Sequence, residues 1–133
     1  MSALSSEQLK ELDLACKRLI KEEKEVFHAG VINQLGNLIA GGFKNEKDPI
    51  FNKESMKVTY MQMQLDFNMR QEMDEVLGPI DYIASRREKQ LVISVPIGKN
   101  IVLITAEPTA DDKKIIKKAE ELFDSINIMT IKK

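Results

Sequence analysis

The chain has 133 residues, 43% of them hydrophobic, which is enough for one domain (1–133) with a sizeable core. Its 20 basic and 21 acidic residues give a net charge of −1, which argues against general binding of nucleic acid. A single cysteine excludes an internal disulfide, and without a long apolar run or a signal-peptide pattern we expect a cytoplasmic protein that does not engage a membrane.

The first predicted element is a helix over residues 6–24. Ser5 and Gln8 form an S-x-x-Q capping box at its start. One face should be buried, because apolar residues recur on it at helical spacing. We expect Cys16, on that face, to pack as a small hydrophobe rather than to act as a nucleophile.

A β-hairpin over residues 26–43 follows, in the stretch VFHAGVINQLGNLIAGGFK. Its strands, 26–33 and 38–43, are nearly continuously apolar, which is typical of a sheet covered on both faces. Gly36 supplies the turn, since glycine accepts positive φ. The paired Gly41 and Gly42 match no phosphate-binding motif, and we expect them to relieve crowding at the strand end.

The middle segment, 53–77, alternates apolar and polar residues like a strand but is too long for one. Its Met, Gln, Glu and Lys content favours a helix. Asn52 is a candidate N-cap, and Gly78 followed by Pro79 is a stop signal.

This middle helix has two apolar faces when its residues are placed about 100° apart. We expect the longer face to pack on the sheet, and the shorter one, on the opposite side, to be covered by a second subunit. The longer face consists of Val58, Met61, Leu65, Met69, Met73 and Val76, and the shorter face of Met56, Tyr60, Met63 and Phe67.

Three more strands are predicted over residues 80–87, 91–97 and 101–106, followed by a helix over 110–126. Thr109 is the candidate cap of this last helix, with Asp111 and Asp112 in its first turn, where they complement the helix dipole. The predicted order is therefore α-β-β-α-β-β-β-α, an α+β chain, while the tail, 127–133, has no assignment.

This order, together with the hairpin pattern VINQLGNLIAGG, resembles the Roadblock (dynein light chain) family of the profilin-like folds. The resemblance implies a five-stranded antiparallel sheet with two helices on one face and one long helix on the other. The segments AGVINQLGNLIAGGF and ASRREK also resemble a set of small archaeal proteins that have no assigned function.

The Roadblock resemblance further implies a non-catalytic homodimer, formed through the middle helix and an edge strand, that acts as a scaffold or as a regulator of small GTPases. The residues then expected at the dimer or partner interface are Met56, Tyr60, Met63, Phe67, Arg86 and Arg87. Arg86 and Arg87 have a second interpretation, as charges that protect an edge strand from unwanted pairing.

No group of residues predicts catalysis or a cofactor. His28 is the only histidine, which excludes two-histidine zinc motifs, and no nucleophile–base set is present. The alternative to an interaction module is a ligand sensor of the PAS type, in which the methionine-rich helix would line a pocket against the sheet. PAS domains usually place several short helices between their strand groups, whereas one long helix is predicted here.

Overall fold

A computed structural model describes residues 4–45 and 53–126. The described chain forms one five-stranded sheet in the order β2-β1-β5-β4-β3, and every neighbouring pair of strands is antiparallel. The elements in chain order are α1 (Ser6–Glu22), β1 (Val26–Ile32), β2 (Leu38–Phe43), α2 (Lys53–Gln71), α3 (Asp74–Leu77), β3 (Ile83–Arg86), β4 (Leu91–Ile97), β5 (Asn100–Ala106) and α4 (Asp112–Asp124).

Apolar clusters cover both faces of the sheet, as its nearly continuous apolar strands predict. On one face α1 and α4 pack side by side over the sheet, with Leu12 and Phe123 in the shared core. On the other face α2 lies over a smaller cluster that includes Ile32 and Leu103. This arrangement confirms the predicted α+β fold class.

The start of α1 forms as its sequence predicts. The Ser5 side chain accepts a hydrogen bond from the Gln8 amide, and the Gln8 side chain accepts one from the Ser5 amide, so both halves of the capping box are present. This pairing satisfies two amides that the first helical turn leaves without partners.

Gly41 lets α1 approach β2 closely. Its φ is +76°, and a Cβ there would lie 2.7 Å from Cys16 Sγ and closer still to the Ala29 carbonyl oxygen. Its amide donates to Asp13 Oδ1 at 2.8 Å. The glycine therefore relieves crowding at this strand end, as expected from the sequence.

The long middle helix predicted over 53–77 is interrupted. After α2 ends at Gln71, the amides of Glu72 and Met73 bond to carbonyls three residues back, at 3.3 and 3.2 Å, and this tighter turn separates α2 from α3. Gly78, with φ +87°, then ends α3 where a stop is predicted. The candidate cap Asn52 lies outside the described residues.

Other boundaries also differ from the predictions, most of them by one or two residues. β3 begins at Ile83 rather than at residue 80, and among the described strands its four residues pair only with β4, at the edge of the sheet. The cap of α4 is Asp111, whose carboxylate accepts from the Lys114 amide at 3.1 Å, because Thr109 belongs to the turn before it.

Candidate partner-binding surface

The two faces of α2 are oriented opposite to the prediction. Tyr60 and Phe67, of the shorter face, are only 6% and 2% exposed and pack against the sheet. Met56 and Met63 are half-buried against the same cluster. These four residues therefore pack within the subunit, so the predicted orientation of the two faces is wrong, while a role for them at a dimer or partner interface stays a prediction.

Aromatic side chains explain this orientation. Tyrosine and phenylalanine bury more area per residue than the methionines and aliphatic residues of the longer face, and they dominate core energetics. Phe67 packs in one buried cluster with Val92 and Ile101, while Tyr60 has a buried polar partner on β1. The signal in the sequence that indicates the inward face is thus the pair of aromatic residues, not the length of the apolar stripe.

The polar partner of Tyr60 is His28, which is fully buried. Its Nδ1 lies 3.0 Å from the carbonyl oxygen of Leu103, which can only accept, so Nδ1 carries the proton. Nε2 therefore accepts from the Tyr60 hydroxyl at 2.7 Å. Burial lowers the pKa of His28 to about 4 and raises the pKa of Tyr60 to about 12, so both groups are neutral at pH 7.

The outward side of α2 is apolar and exposed. We define the α2 outer face as Val58, Met61, Leu65 and Met69, which are 55%, 54%, 59% and 68% exposed. Val76 and Leu77 of α3 and Leu35 of the hairpin turn are also exposed, and a Cβ at Gly36 would lie 2.9 Å from Met61 Cγ. The turn therefore borders this face.

The two arginines beside β3 have different surroundings. The Arg86 guanidinium donates to the Pro108 carbonyl oxygen and lies 3.4 Å from an oxygen of Asp112, so it ties β3 to the start of α4. Arg87 is exposed, and its amide bonds to the Gln90 carbonyl in the turn to β4. Arg86 lies in β3 and Arg87 directly follows it, and among the described strands β3 is at an edge of the sheet, as the edge-strand interpretation requires.

A groove of about 570 Å³ opens beside β2, between α1 and the start of α2. Met56 is the only methionine among its described lining residues, so it does not match the methionine-lined pocket of the sensor hypothesis. The lining consists of Lys17, Ile20, Gly36, Asn37, Leu38, Gly41, Gly42, Phe43, Met56, Lys57 and Tyr60.

The remaining candidate groups are structural. Cys16 is buried beside Gly41, and burial raises the pKa of its thiol to about 12, far from that of a reactive cysteine. Within residues 4–45 and 53–126, no cluster of His, Cys, Asp or Glu has the grouping of a metal site. No helix in the same ranges is long and apolar enough to cross a membrane.

Comparison with known proteins gives a family and a fold. A family model described as "Family of unknown function (DUF6659)" matches residues 4–127. No curated protein matches the chain.

Solved structures match closely in shape at low sequence identity. A Roadblock/LC7 domain from Streptomyces avermitilis has a TM-score of 0.69 at 13% identity, covering 86% of this chain and 93% of its own. A structure of MglB in a tetrameric arrangement has a TM-score of 0.74 at 13% identity, covering 97% and 93%. Profilin from Schizosaccharomyces pombe has a TM-score of 0.60 at 13% identity, covering 86% and 94%. The predicted Roadblock and profilin-like fold is confirmed.

Proposed function

We infer that the protein is a non-catalytic interaction module. The inference starts from two facts: the chain belongs to DUF6659, a family of unknown function, and it has the Roadblock fold. In this proposal the protein is a homodimer that contacts its partner copy through the α2 outer face. The observation that carries the proposal is the exposure of four large apolar side chains on one helix face. Contiguous apolar surface of this kind marks interaction sites on soluble proteins.

Burial of the α2 outer face would be a substantial driving force for dimerisation. Each large aliphatic or methionine side chain contributes about 1.5–3 kcal/mol when it is fully removed from water. Helical spacing places Val58, Met61, Leu65 and Met69 in one row, which suits packing against another helix.

The charges beside this row favour a second copy of the chain as the molecule that buries the α2 outer face. Asp66 and Arg70 form an ion pair at 3.1 Å within the same helix, so their charges compensate each other. The four residues of the face are themselves uncharged, so the face can meet an identical face across a two-fold axis, as an isologous dimer requires.

The open edge at β3 would complete such a dimer. Among the described strands β3 has one free edge, and its exposed residues lie at the end of the sheet. We propose that Arg87 lies near the seam, whereas Arg86 is engaged by Pro108 and Asp112 of its own chain.

A regulatory role toward small GTPases is the finer part of this proposal. It is supported by the resemblance to Roadblock proteins in the sequence and by the similarity in shape to MglB. Fold alone does not define a partner, so binding to a GTPase needs its own test once the dimer is established.

The test is native mass spectrometry together with light scattering on the purified protein and on Met61→Glu/Met69→Glu. We expect the wild type to be a dimer and the double variant to be a folded monomer, because each copy would bury two unpaired carboxylates in one apolar interface. Leu14→Glu is the matched control, since Leu14 is 60% exposed on α1, outside the α2 outer face.

Two results would contradict the proposal. One is a wild type that stays monomeric at all accessible concentrations. The other is a dimer that survives in the double variant, or that is lost equally in Leu14→Glu. The circular dichroism of each variant shows that the subunit itself remains folded.

A further inference from the structure

The groove beside β2 is a recess with an apolar interior. Ile20 of α1 forms one wall, Met56 and Tyr60 of α2 form the other, and Leu38 and Phe43 of β2 lie between them. Its volume of about 570 Å³ falls within the range of about 300–1,000 Å³ that is usual for small-molecule sites. The groove borders the α2 outer face at Gly36, but its interior lies on the other side of that glycine, and the inference drawn from it does not rest on the proposed dimer.

The floor of the groove is interrupted at Gly41 as a site for a peptide strand. A strand that adds to a sheet edge needs a row of unpaired backbone amides and carbonyls. On β2 the Gly41 amide is already taken by Asp13 Oδ1 at 2.8 Å, and α1 lies close against this glycine. The groove therefore suits a compact molecule rather than an extended peptide.

The charges that line the groove indicate that its ligand carries a negative charge. Its described lining contains Lys17 and Lys57 and no carboxylate. Lys17 pairs with Asp13 at 2.8 Å, but Lys57 has no ion pair among the described residues. An anionic group at the Lys57 end would complement this charge, which no described residue pairs.

We propose that the groove binds a small amphipathic carboxylate. Its hydrocarbon chain packs between Ile20, Phe43 and Met56, and its carboxylate pairs with the Lys57 ammonium. This is a binding site for a metabolite-sized ligand, on the side of α2 that faces the sheet edge rather than the α2 outer face.

Isothermal titration calorimetry with dodecanoate, below its micelle concentration, tests the proposal. We expect saturable binding at one site per chain, at least tenfold weaker binding of the uncharged analogue dodecanol, and at least tenfold weaker binding of dodecanoate to Lys57→Gln. Lys10→Gln is the matched control, because Lys10 is exposed on α1 and does not line the groove. Ile20→Trp should fill the groove and abolish binding of both probes.

Methionine-methyl NMR locates the site and separates it from the dimer interface. Dodecanoate should shift the methyl resonance of Met56 and leave that of Met69 unchanged, whereas dilution of a dimer should shift Met69. Absence of binding, equal affinity for dodecanol, equal affinity in Lys57→Gln, or a shift at Met69 in place of Met56 would each overturn the proposal. None of these outcomes bears on the oligomeric state, so the two proposals can fail separately.

Discussion

The hydroxyl of Tyr60 lies 2.7 Å from Nε2 of His28, and this hydrogen bond joins α2 to the central strand β1 inside the core. Because Nδ1 of the same ring donates to the Leu103 carbonyl on β5, one imidazole connects three elements. Buried polar groups specify one arrangement, since any other leaves a donor or an acceptor without a partner. The pair therefore helps to determine which face of α2 turns inward.

We expect the free energy of unfolding to decrease in mild acid because of His28. Burial holds its pKa at about 4, below the ordinary value of 6.5, so between these pH values the unfolded chain binds more protons than the folded one. The contribution of the neutral histidine to the free energy of unfolding is fully present above the ordinary pKa of 6.5. It is lost as the pH falls to the pKa of the folded state, about 4, and the total loss is about 3 kcal/mol. Urea titrations at pH 7 and pH 4.5 measure this loss.

The carboxylates of Asp13 and Glu22, whose pKa values are lowered by their basic partners, also lose stabilising contacts in acid. The comparison with His28→Gln isolates the contribution of the histidine. This variant should be less stable at pH 7 and should lose less stability between the two pH values. Parallel losses in both proteins would contradict the assignment of a buried, neutral His28.

We expect Tyr60→Phe to destabilise the subunit by about 1–3 kcal/mol, because it leaves Nε2 of His28 as a buried acceptor without a donor. Tyr82→Phe is the matched control, since Tyr82 is 43% exposed. It should change the free energy of unfolding by less than about 0.5 kcal/mol. Urea denaturation of the three proteins measures the difference, and equal stabilities would show that the hydrogen bond is absent.

The inward orientation of the shorter face predicts a large difference between neighbouring positions on α2. Phe67→Ala should cost about 3–5 kcal/mol, since it creates a cavity above the sheet. Met69→Ala, two residues away on the α2 outer face, should cost less than about 1 kcal/mol in the isolated subunit. Thermal and urea unfolding at low protein concentration measure the stability of each variant. If Met69→Ala were the more destabilising of the two, the longer face of α2 would be the one that packs on the sheet.

Gly41→Ala should prevent the close approach of α1 to β2. The added Cβ would clash with Cys16 and with the Ala29 carbonyl oxygen, and the backbone there has φ +76°. Gly98 also has positive φ, +62°, but a Cβ added there would meet nothing within 4 Å beyond its chain neighbours. Gly98→Ala should therefore show only the backbone cost of about 1–2 kcal/mol, and Gly41→Ala a clearly larger one. Urea denaturation of both variants measures the costs, and similar losses would argue against tight packing at Gly41.

Local signals in the sequence predicted much of this fold. The capping box at Ser5 and Gln8, the hairpin turn at Gly36 and the stop at Gly78 each depend on a few adjacent residues, and the structure shows all three. The edge position of the arginine-containing strand also follows from its charge. These features are predictable because their physical causes lie within one turn of the chain.

The inward face of α2 is different. Periodicity alone establishes that the helix has two apolar faces, but not which of them meets the sheet. That choice depends on the fit of Tyr60 and Phe67 to residues far along the chain, such as His28 and Val92. The interruption between α2 and α3 and the engagement of Arg86 by Pro108 and Asp112 likewise depend on distant contacts.

By itself, then, the sequence determined the order of the main elements, the capping box of α1, the hairpin turn and the fold class, because each follows from short-range hydrogen bonding and from hydrophobic periodicity. Only the tertiary structure decided which side of α2 is free for a partner and where the groove beside β2 lies. Both are set by packing between residues that are distant in the chain, where side-chain size and the need to pair buried polar atoms select one arrangement from several that the pattern allows.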